Sequence, residues 1–261
     1  MGIIIGVLIT ILIFGITILR LHSVNLSSLR LSDLKKENIK NILFIYPHPD
    51  DESMVSGGMI AQVARDKDFN IFVVDITKGD RGDELLKLPP EELGKVRELE
   101  YNKALKILGV SNPEIWDFPD GSVPANENDL KKRIIEYIEE NKIDLVVTFE
   151  RWGIYGHQDH VALSKVVNEV VTEKDIKVLY STISPKIAKV MNLKQYISGL
   201  DLHDFESNEL PEMKLPIWGE IIRQYRAVRN YKSQNLSHKY PLWVTILMNP
   251  YEYYTTKFKP E

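Results

Sequence analysis

The chain has no cysteine. Disulfides and thiolate metal sites are therefore excluded, and any metal must be held through histidine and carboxylate. Nor is there an excess of charge of one sign. Against 33 Lys and Arg stand 37 Asp and Glu, a net charge of -4 that gives no reason to expect nucleic acid as a partner. No internal repeat or low-complexity tract is present. No Gly-x-Gly-x-x-Gly follows the first strand-like run of the main domain, so a dinucleotide site has little support. Over Met1 to Leu19, charged side chains are missing altogether.

That charge-free stretch is rich in Ile, Leu and Val. About eighteen helical residues rise about 27 Å, close to a hydrocarbon core of about 30 Å. A secretory signal would need a basic leading segment and a small-residue cleavage site, and neither is evident. The expectation is a single-pass transmembrane helix. Arg20, Arg30, Lys35, Lys36 and Lys40 all follow it, which places the amino terminus outside and the catalytic domain in the cytoplasm. Residues 1–20 thus read as a membrane anchor and the polar residues 21–40 as a juxtamembrane linker. Residues 41–240 read as the main domain and 241–261 as a tail. The apolar run Leu242 to Met248 in that tail reads either as an edge strand or as a segment lying at a lipid interface.

In the main domain strand-like and helix-like stretches alternate. Ile42 to Tyr46, Ile71 to Ile76, Ile115 to Phe118, Leu145 to Phe149 and Ile176 to Ile183 read as strands. Between them, Met54 to Ala64, Glu91 to Leu108, Asn128 to Asn141 and Val161 to Val171 carry helical spacing. Pro89 and Pro90 introduce the second of these helices and Gly109 ends it. The alternation predicts an α/β fold: a Rossmann-like, mostly parallel sheet with helices on both faces. Pro216 to Asn235 reads as a further helix, while residues 185–215 show no clear pattern.

Two short motifs stand at the ends of strands in this scheme. Pro47-His48-Pro49-Asp50-Asp51-Glu52 follows the first strand. A histidine and three acidic side chains crowded together repel one another and resist desolvation, and a cation among them relieves both. His48 and Asp51 can converge on one metal if the chain turns between them. The alternative is an ordinary loop whose acids cap the next helix. Gly156-His157-Gln158-Asp159-His160 follows a second strand and could supply a third ligand and a catalytic imidazole. Three of the six histidines thus sit at two matching strand ends. Trp152 and Tyr155 flank the second motif, where stacking on a sugar ring and simple packing are both open.

These paired motifs resemble the PIG-L/LmbE-like family of zinc-dependent de-N-acetylases. The resemblance covers roughly residues 40–240. Softer matches are Thr77-Lys78-Gly79-Asp80, Arg97 to Gly109, Asp120-Gly121 and Tyr231-Lys232-Ser233-Gln234. It implies His48, Asp51 and His160 as ligands of Zn2+. Two histidines and a carboxylate leave coordination open, although the same set suits Fe2+. It further implies Asp50 as general base and His157 as the group facing the oxyanion or leaving amine, with Asp159 orienting and charging that imidazole. Arg97 and Asp120 are implied substrate contacts, and Glu52 a supporting residue. The expected reaction is removal of acetate from an N-acetylglucosamine (GlcNAc) glycoconjugate. With an anchor beside the domain, a lipid-linked substrate of GlcNAc-phosphatidylinositol type is expected over a soluble one. A non-haem iron oxygenase and a catalytically silent sugar- or lipid-binding module are the competing readings.

Overall fold

A computed structural model describes residues 2–82, 85–191, 209–236 and 240–258, with backbone alone at residues 2–4, 7, 8, 10, 11 and 191. Strand β2 (Asn41–Tyr46) pairs in parallel with β3 (Asn70–Thr77) on one side and β5 (Leu145–Phe149) on the other. Outward from these, β3 pairs in parallel with β4 (Glu114–Phe118), and β5 with β6 (Lys177–Thr182). Beyond β6 the sheet turns mixed. Strand β8 (Tyr251–Thr255) lies antiparallel between β6 and β7 (Met213–Pro216), and β1 (Ser27–Ser28) closes that edge parallel to β7.

The central strands are apolar on both sides because both faces are covered. Ile42 and Phe44 of β2 pack with Met59 and Ile60 of α3 (Asp51–Arg65) and Leu105 of α4 (Pro90–Leu108). Leu43 and Ile45 point the other way, toward Ile134 of α5 (Glu127–Asn141) and Val167 of α6 (Gln158–Glu173). From β2 the chain goes on to β3, while β5 lies on the opposite flank. The carboxyl ends of β2 and β5 therefore border the crevice where strand order reverses, and in such sheets ligands bind there. Each of the two motifs follows one of these strands.

The α/β reading holds, but the transmembrane helix expected ahead of it does not. Helix α1 (Gly2–Leu21) is present. Among the described residues, however, no helix is long and apolar enough to cross a membrane. Nor does the helix leave the domain freely. Ile18 is buried, and Lys186 Nζ donates to Arg20 O at 3.0 Å and to Ser23 Oγ at 2.8 Å. The expectation of a single-pass protein with a cytoplasmic domain falls with the anchor.

Residues 21–40 are built into the domain instead of forming an extended linker. They contain β1 and α2 (Leu31–Lys36), with Leu29, Leu34 and Ile39 buried. His22 is buried too, its Nδ1 2.5 Å from Tyr253 Oη and its Nε2 2.7 Å from Met248 O. In the tail the apolar run is not an edge strand: Leu242–Leu247 is helix α9. The strand is Tyr251–Thr255, inside the sheet. The helix expected over Pro216 to Asn235 is confined to α8 (Ile221–Val228). Of residues 185–215, Pro185–Met191 forms α7, Met213–Pro216 is β7, and 192–208 lie outside the described residues.

Candidate metal centre and active site

The turn after β2 is held from several directions. Thr77, at the end of β3, donates both its N–H (3.0 Å) and its hydroxyl (2.9 Å) to Pro47 O. Asp50 has φ 118° and ψ -34°, a backbone conformation that is strained for a residue with a side chain. Its N–H donates to Glu52 Oε2 at 3.0 Å. Glu52 is fully buried and also accepts from Ser53 Oγ and from Tyr231 Oη, the latter at 2.5 Å. Arg97, 3% exposed, closes the turn from α4: Nη2 donates to Pro49 O (2.5 Å) and Asp50 Oδ2 (3.3 Å), and Nη1 to Gly79 O (2.6 Å). Gly79 lies at φ +60°, and a Cβ there would sit 2.3 Å from Arg97 Nη1, so both the turn and the close approach require glycine.

This bracing aims three donor atoms at one point. His48 Nδ1 lies 3.3 Å from Asp51 Oδ2, His160 Nε2 lies 3.2 Å from His48 Nδ1, and His160 Nε2 lies 3.3 Å from Asp51 Oδ2. Donors about 2.0–2.1 Å from a tetrahedral cation stand about 3.3–3.4 Å apart. The triangle fits a divalent ion of that size.

Hydrogen bonds on the far side of each ring fix which nitrogen faces that point. His160 Nδ1 donates to Gly153 O at 3.1 Å, leaving Nε2 as a bare acceptor. Gly153 is again a positive-φ residue (+56°), and a Cβ on it would sit 2.1 Å from His160 Cβ. His48 Nε2 lies 3.1 Å from Asp120 Oδ1 and 3.2 Å from Asp159 Oδ2, so its proton goes to those carboxylates and Nδ1 is left for the metal. Two other three-residue groupings share His48: with His157 and His160, and with Asp120 and Asp159. In the second, both carboxylates already accept backbone N–H groups: Arg81 to Asp120 (2.7 Å), and Gly121 (2.6 Å) and Val123 (3.1 Å) to Asp159. Both also face His48 Nε2, at 3.1 Å and 3.2 Å.

The electrostatics agree with a cation site. Burial disfavours charge on His48, but its hydrogen bonds to Asp120, Asp159 and Asp51 outweigh that and raise its pKa well above the ordinary value. A proton and a metal ion therefore compete for Nδ1. Burial would raise Asp120 and Asp159 as well, yet the hydrogen bond and charge of His48 hold both below the usual carboxylate range. For Asp50 burial wins, with Asp51 and Glu52 adding to it against the pull of Arg97, and the carboxyl is pushed well above that range.

His157 caps α6 and accepts the Asp159 N–H on Nδ1 at 3.3 Å. Its Nε2–H is thereby left to donate. The ring stands 4.9 Å, centroid to centroid, from both His48 and His160. Burial and the neighbouring His160 and His48 lower its pKa to about 4. The side chain of Asp159 lies against His48, Oδ2 3.2 Å from Nε2, while its backbone N–H meets His157. Asp120 and Arg97 are both buried, one against His48 and the other under the Asp50 turn, and both line the cavity. The second motif's neighbours are ordered by the site: Phe149 stacks on His160 at 4.5 Å, and Tyr155 meets the same ring edge-on at 5.1 Å.

The brace itself was only partly visible beforehand. Tyr231, Ser233 and Gln234 belonged to a soft match, and each has a partner: Glu52, Glu100 Oε2 (2.5 Å from Ser233 Oγ) and Gly82 O (3.3 Å from Gln234 Nε2). Gly153 and Phe149 were missed. The signal available was a glycine four residues past the end of a strand and seven before His160.

The whole arrangement opens into one cavity of about 710 Å3 at the switch point of a doubly wound sheet. Fold and site together define an α/β domain with a two-histidine, one-carboxylate candidate metal centre. The family model described as PIG-L, GlcNAc-PI de-N-acetylase, matches residues 43–171, and the chain belongs to the PIG-L/LmbE-like de-N-acetylase family. It is 30% identical over 152 residues to the 1D-myo-inositol 2-acetamido-2-deoxy-alpha-D-glucopyranoside deacetylase of Kineococcus radiotolerans, covering 47% of this chain and 42% of that one. The chain thus spans less than half the length of that relative. To the diacetylchitobiose deacetylase of Thermococcus kodakarensis it is 26% identical, over 83% of this chain and 78% of the relative. The solved structure of the zinc-inhibited form of teicoplanin deacetylase Orf2 superposes with a TM-score of 0.63 at 20% identity, covering 82% and 96% of the two chains. The last of these is a likeness of fold.

Proposed function

We propose that this protein is a divalent-metal-dependent amidohydrolase that removes acetate from a GlcNAc glycoconjugate. One observation carries the reading. Two imidazole nitrogens and one carboxylate oxygen, 3.2–3.3 Å apart, face a common point, and each ring donates its proton to an acceptor elsewhere. Three ligand atoms converging at this spacing in a buried pocket suit a cation. His48, Asp51 and His160 would hold it. Once bound, a divalent ion supplies a Lewis acid that makes water nucleophilic near neutral pH and polarises an amide carbonyl.

The chain's own residues supply the rest. Asp50 takes the proton of the attacking water, its carboxyl fixed by Arg97 and by the strained turn. His157, neutral and with Nε2–H free to donate, faces the carbonyl oxygen as it gains charge. Asp159 and Asp120 keep the His48 ring in the tautomer that ligates. The preference for a lipid-linked substrate drew on an anchor that the structure does not support. What supports GlcNAc as the acylated sugar is the family and the substrates named for its relatives.

The test is acetate release from a panel comprising GlcNAc-phosphatidylinositol, GlcNAc-inositol and diacetylchitobiose. It is run with and without a chelator, then after adding back Zn2+ or Fe2+. Acetate from at least one conjugate, lost on chelation and restored by metal, is the expected result. Chelator-insensitive release, or none from any of them, would overturn the reading.

A further inference from the structure

Helix α3, which opens with Asp51, shares its backbone hydrogen-bonding groups with two side chains from late in the chain. In a regular helix the N–H groups of residues 57, 58 and 59 donate to the carbonyls of 53, 54 and 55. Here Gln224 of α8 donates from Nε2 to Ser53 O (3.0 Å) and Met54 O (3.2 Å). From β8, Glu252 accepts the Gly58 N–H on Oε1 (2.6 Å) and the Met59 N–H on Oε2 (2.9 Å). The donor and the acceptor that would join residues 58 and 54 are thus both met by side chains. Gln224 Nε2 in turn lies 3.4 Å from Glu252 Oε1, so the two form one plug against the helix.

The glycines at this seam make room for the plug. A Cβ on Gly57 would sit 2.8 Å from Gln224 Cγ, and one on Gly58 would overlap Ile217 and come within 3.0 Å of Glu252 Oε1. Gln224 and Glu252 are both buried, and both line the cavity. Helices bend where a side chain enters the backbone ladder. Behind the seam, Met59, Ile60 and Val63 are fixed in the core under β2. Ahead of it stand Asp51 and Glu52, on the side that faces His48 and His160. Neither Gln224 nor Glu252 falls within residues 43–171, the stretch that the family model matches.

We propose that Gln224 and Glu252 are positioning residues for the metal centre. By holding the seam open they set the angle of the leading turns of α3, and with it the place of Asp51 in the donor triangle. Without the Gln224 amide, the carbonyls of Ser53 and Met54 turn back to the N–H groups of Gly57 and Gly58. The ladder then closes, and Asp51 swings away from His48 and His160. The proposal rests on the metal-centre reading for the role of Asp51, but it is tested through metal binding and not through turnover.

The full-length chain is stripped of metal and titrated with Zn2+ against a metal-sensitive dye. Its Co2+ form is then examined by visible absorption, whose ligand-field bands report donor geometry. Gln224→Met removes the amide at similar volume, whereas Gln224→Lys keeps a donor for the two carbonyls and a partner for Glu252. Gln224→Met should weaken Zn2+ binding by about 10-fold or more, on the scale of changes behind a metal ligand, and shift the Co2+ bands. Gln224→Lys should restore both. Should Gln224→Met not fold, Glu252→Gln is read by the same criteria, since it leaves one acceptor oxygen for two N–H groups. Denaturant unfolding of the metal-free proteins runs alongside. A variant that loses stability but keeps its affinity and its Co2+ spectrum has only a structural role, which overturns the proposal. So does equal impairment in Gln224→Met and Gln224→Lys, since volume alone would then matter. His160→Ala separates the two readings. Affinity lost there but kept in Gln224→Met overturns the positioning role alone, and affinity kept in both overturns the metal centre as well.

Discussion

Arg97 and Asp50 form an ion pair at 3.3 Å, Nη2 to Oδ2, with the guanidinium 4% and the carboxylate 14% exposed. The pair joins α4 to the turn after β2, and the same guanidinium holds the carbonyls of Pro49 and Gly79. One planar group thus fixes both the position of the proposed base and the strained backbone beneath it. Lysine keeps the charge but offers a point donor where a fork is used. Arg97→Lys should therefore lower acetate release by about 10²-fold, the scale of an approximately 1 Å misplacement. Metal content should stay at the wild-type level. A fully active Arg97→Lys would show that the fork is dispensable.

Asp50 and Asp51 are adjacent but have different work. Asp51→Ala removes one corner of the donor triangle, so metal occupancy and activity should fall together. Asp50→Asn should keep the metal and lose about 10²- to 10⁴-fold in rate, the usual scale for a general base. Asparagine is also among the residues that tolerate positive φ, so the turn survives the change. His157→Ala should likewise retain metal and lose rate through the developing oxyanion. Metal analysis beside acetate release decides it. A metal-free Asp50→Asn with a metal-loaded Asp51→Ala would reverse the assignment.

On the proposed reading, Asp159 bears on the metal through His48. With Oδ2 at 3.2 Å from His48 Nε2, Asp159→Asn weakens the bond that leaves Nδ1 free to ligate. Metal affinity should drop by about 10- to 100-fold, the range for changes behind a ligating histidine. Excess metal should restore most of the rate. Were Asp159 instead to act by charging His157, the variant would bind metal normally and stay slow at saturating metal. Competition against a metal-sensitive dye reads the affinity directly.

Much of this was legible in the sequence because it is local. Ile42 to Tyr46 announces a strand buried on both faces, and the Pro-His-Pro-Asp-Asp-Glu and Gly-His-x-Asp-His motifs announce the donors. What escaped depends on long-range pairing. A six-residue apolar helix such as Leu242–Leu247 has no period that separates it from a strand. Ser27 and Ser28 become a strand only because β7, some 186 positions away, lies beside them. The polarity of residues 21–40 suggested a linker, yet its few apolar side chains are the buried ones. Nothing in the turn around Asp120 reveals that His48 stands 3.1 Å away. Residue types were readable, and which nitrogen each carboxylate would face was not.

Glu252 gives the fold a pH dependence separate from the metal centre. It sits on β8, 5% exposed, with its carboxylate against the N–H groups of Gly58 and Met59. Burial pushes its pKa up to about 7, although those N–H groups and the Tyr254 hydroxyl pull the other way. In the unfolded chain the group returns to its ordinary 4.5. Between these two values the folded chain holds a proton that the unfolded chain has lost, so stability falls as pH rises through that window. The full effect is about 3 kcal/mol, and above pH 7 the contribution is flat. Glu252→Gln cannot titrate. The stability of wild type relative to this variant should therefore be greatest near pH 5 and least near pH 8. Denaturant unfolding of both proteins across that range measures it directly. If the two curves run parallel, Glu252 is ionised in the fold throughout, and the clamp on α3 is a carboxylate at every pH.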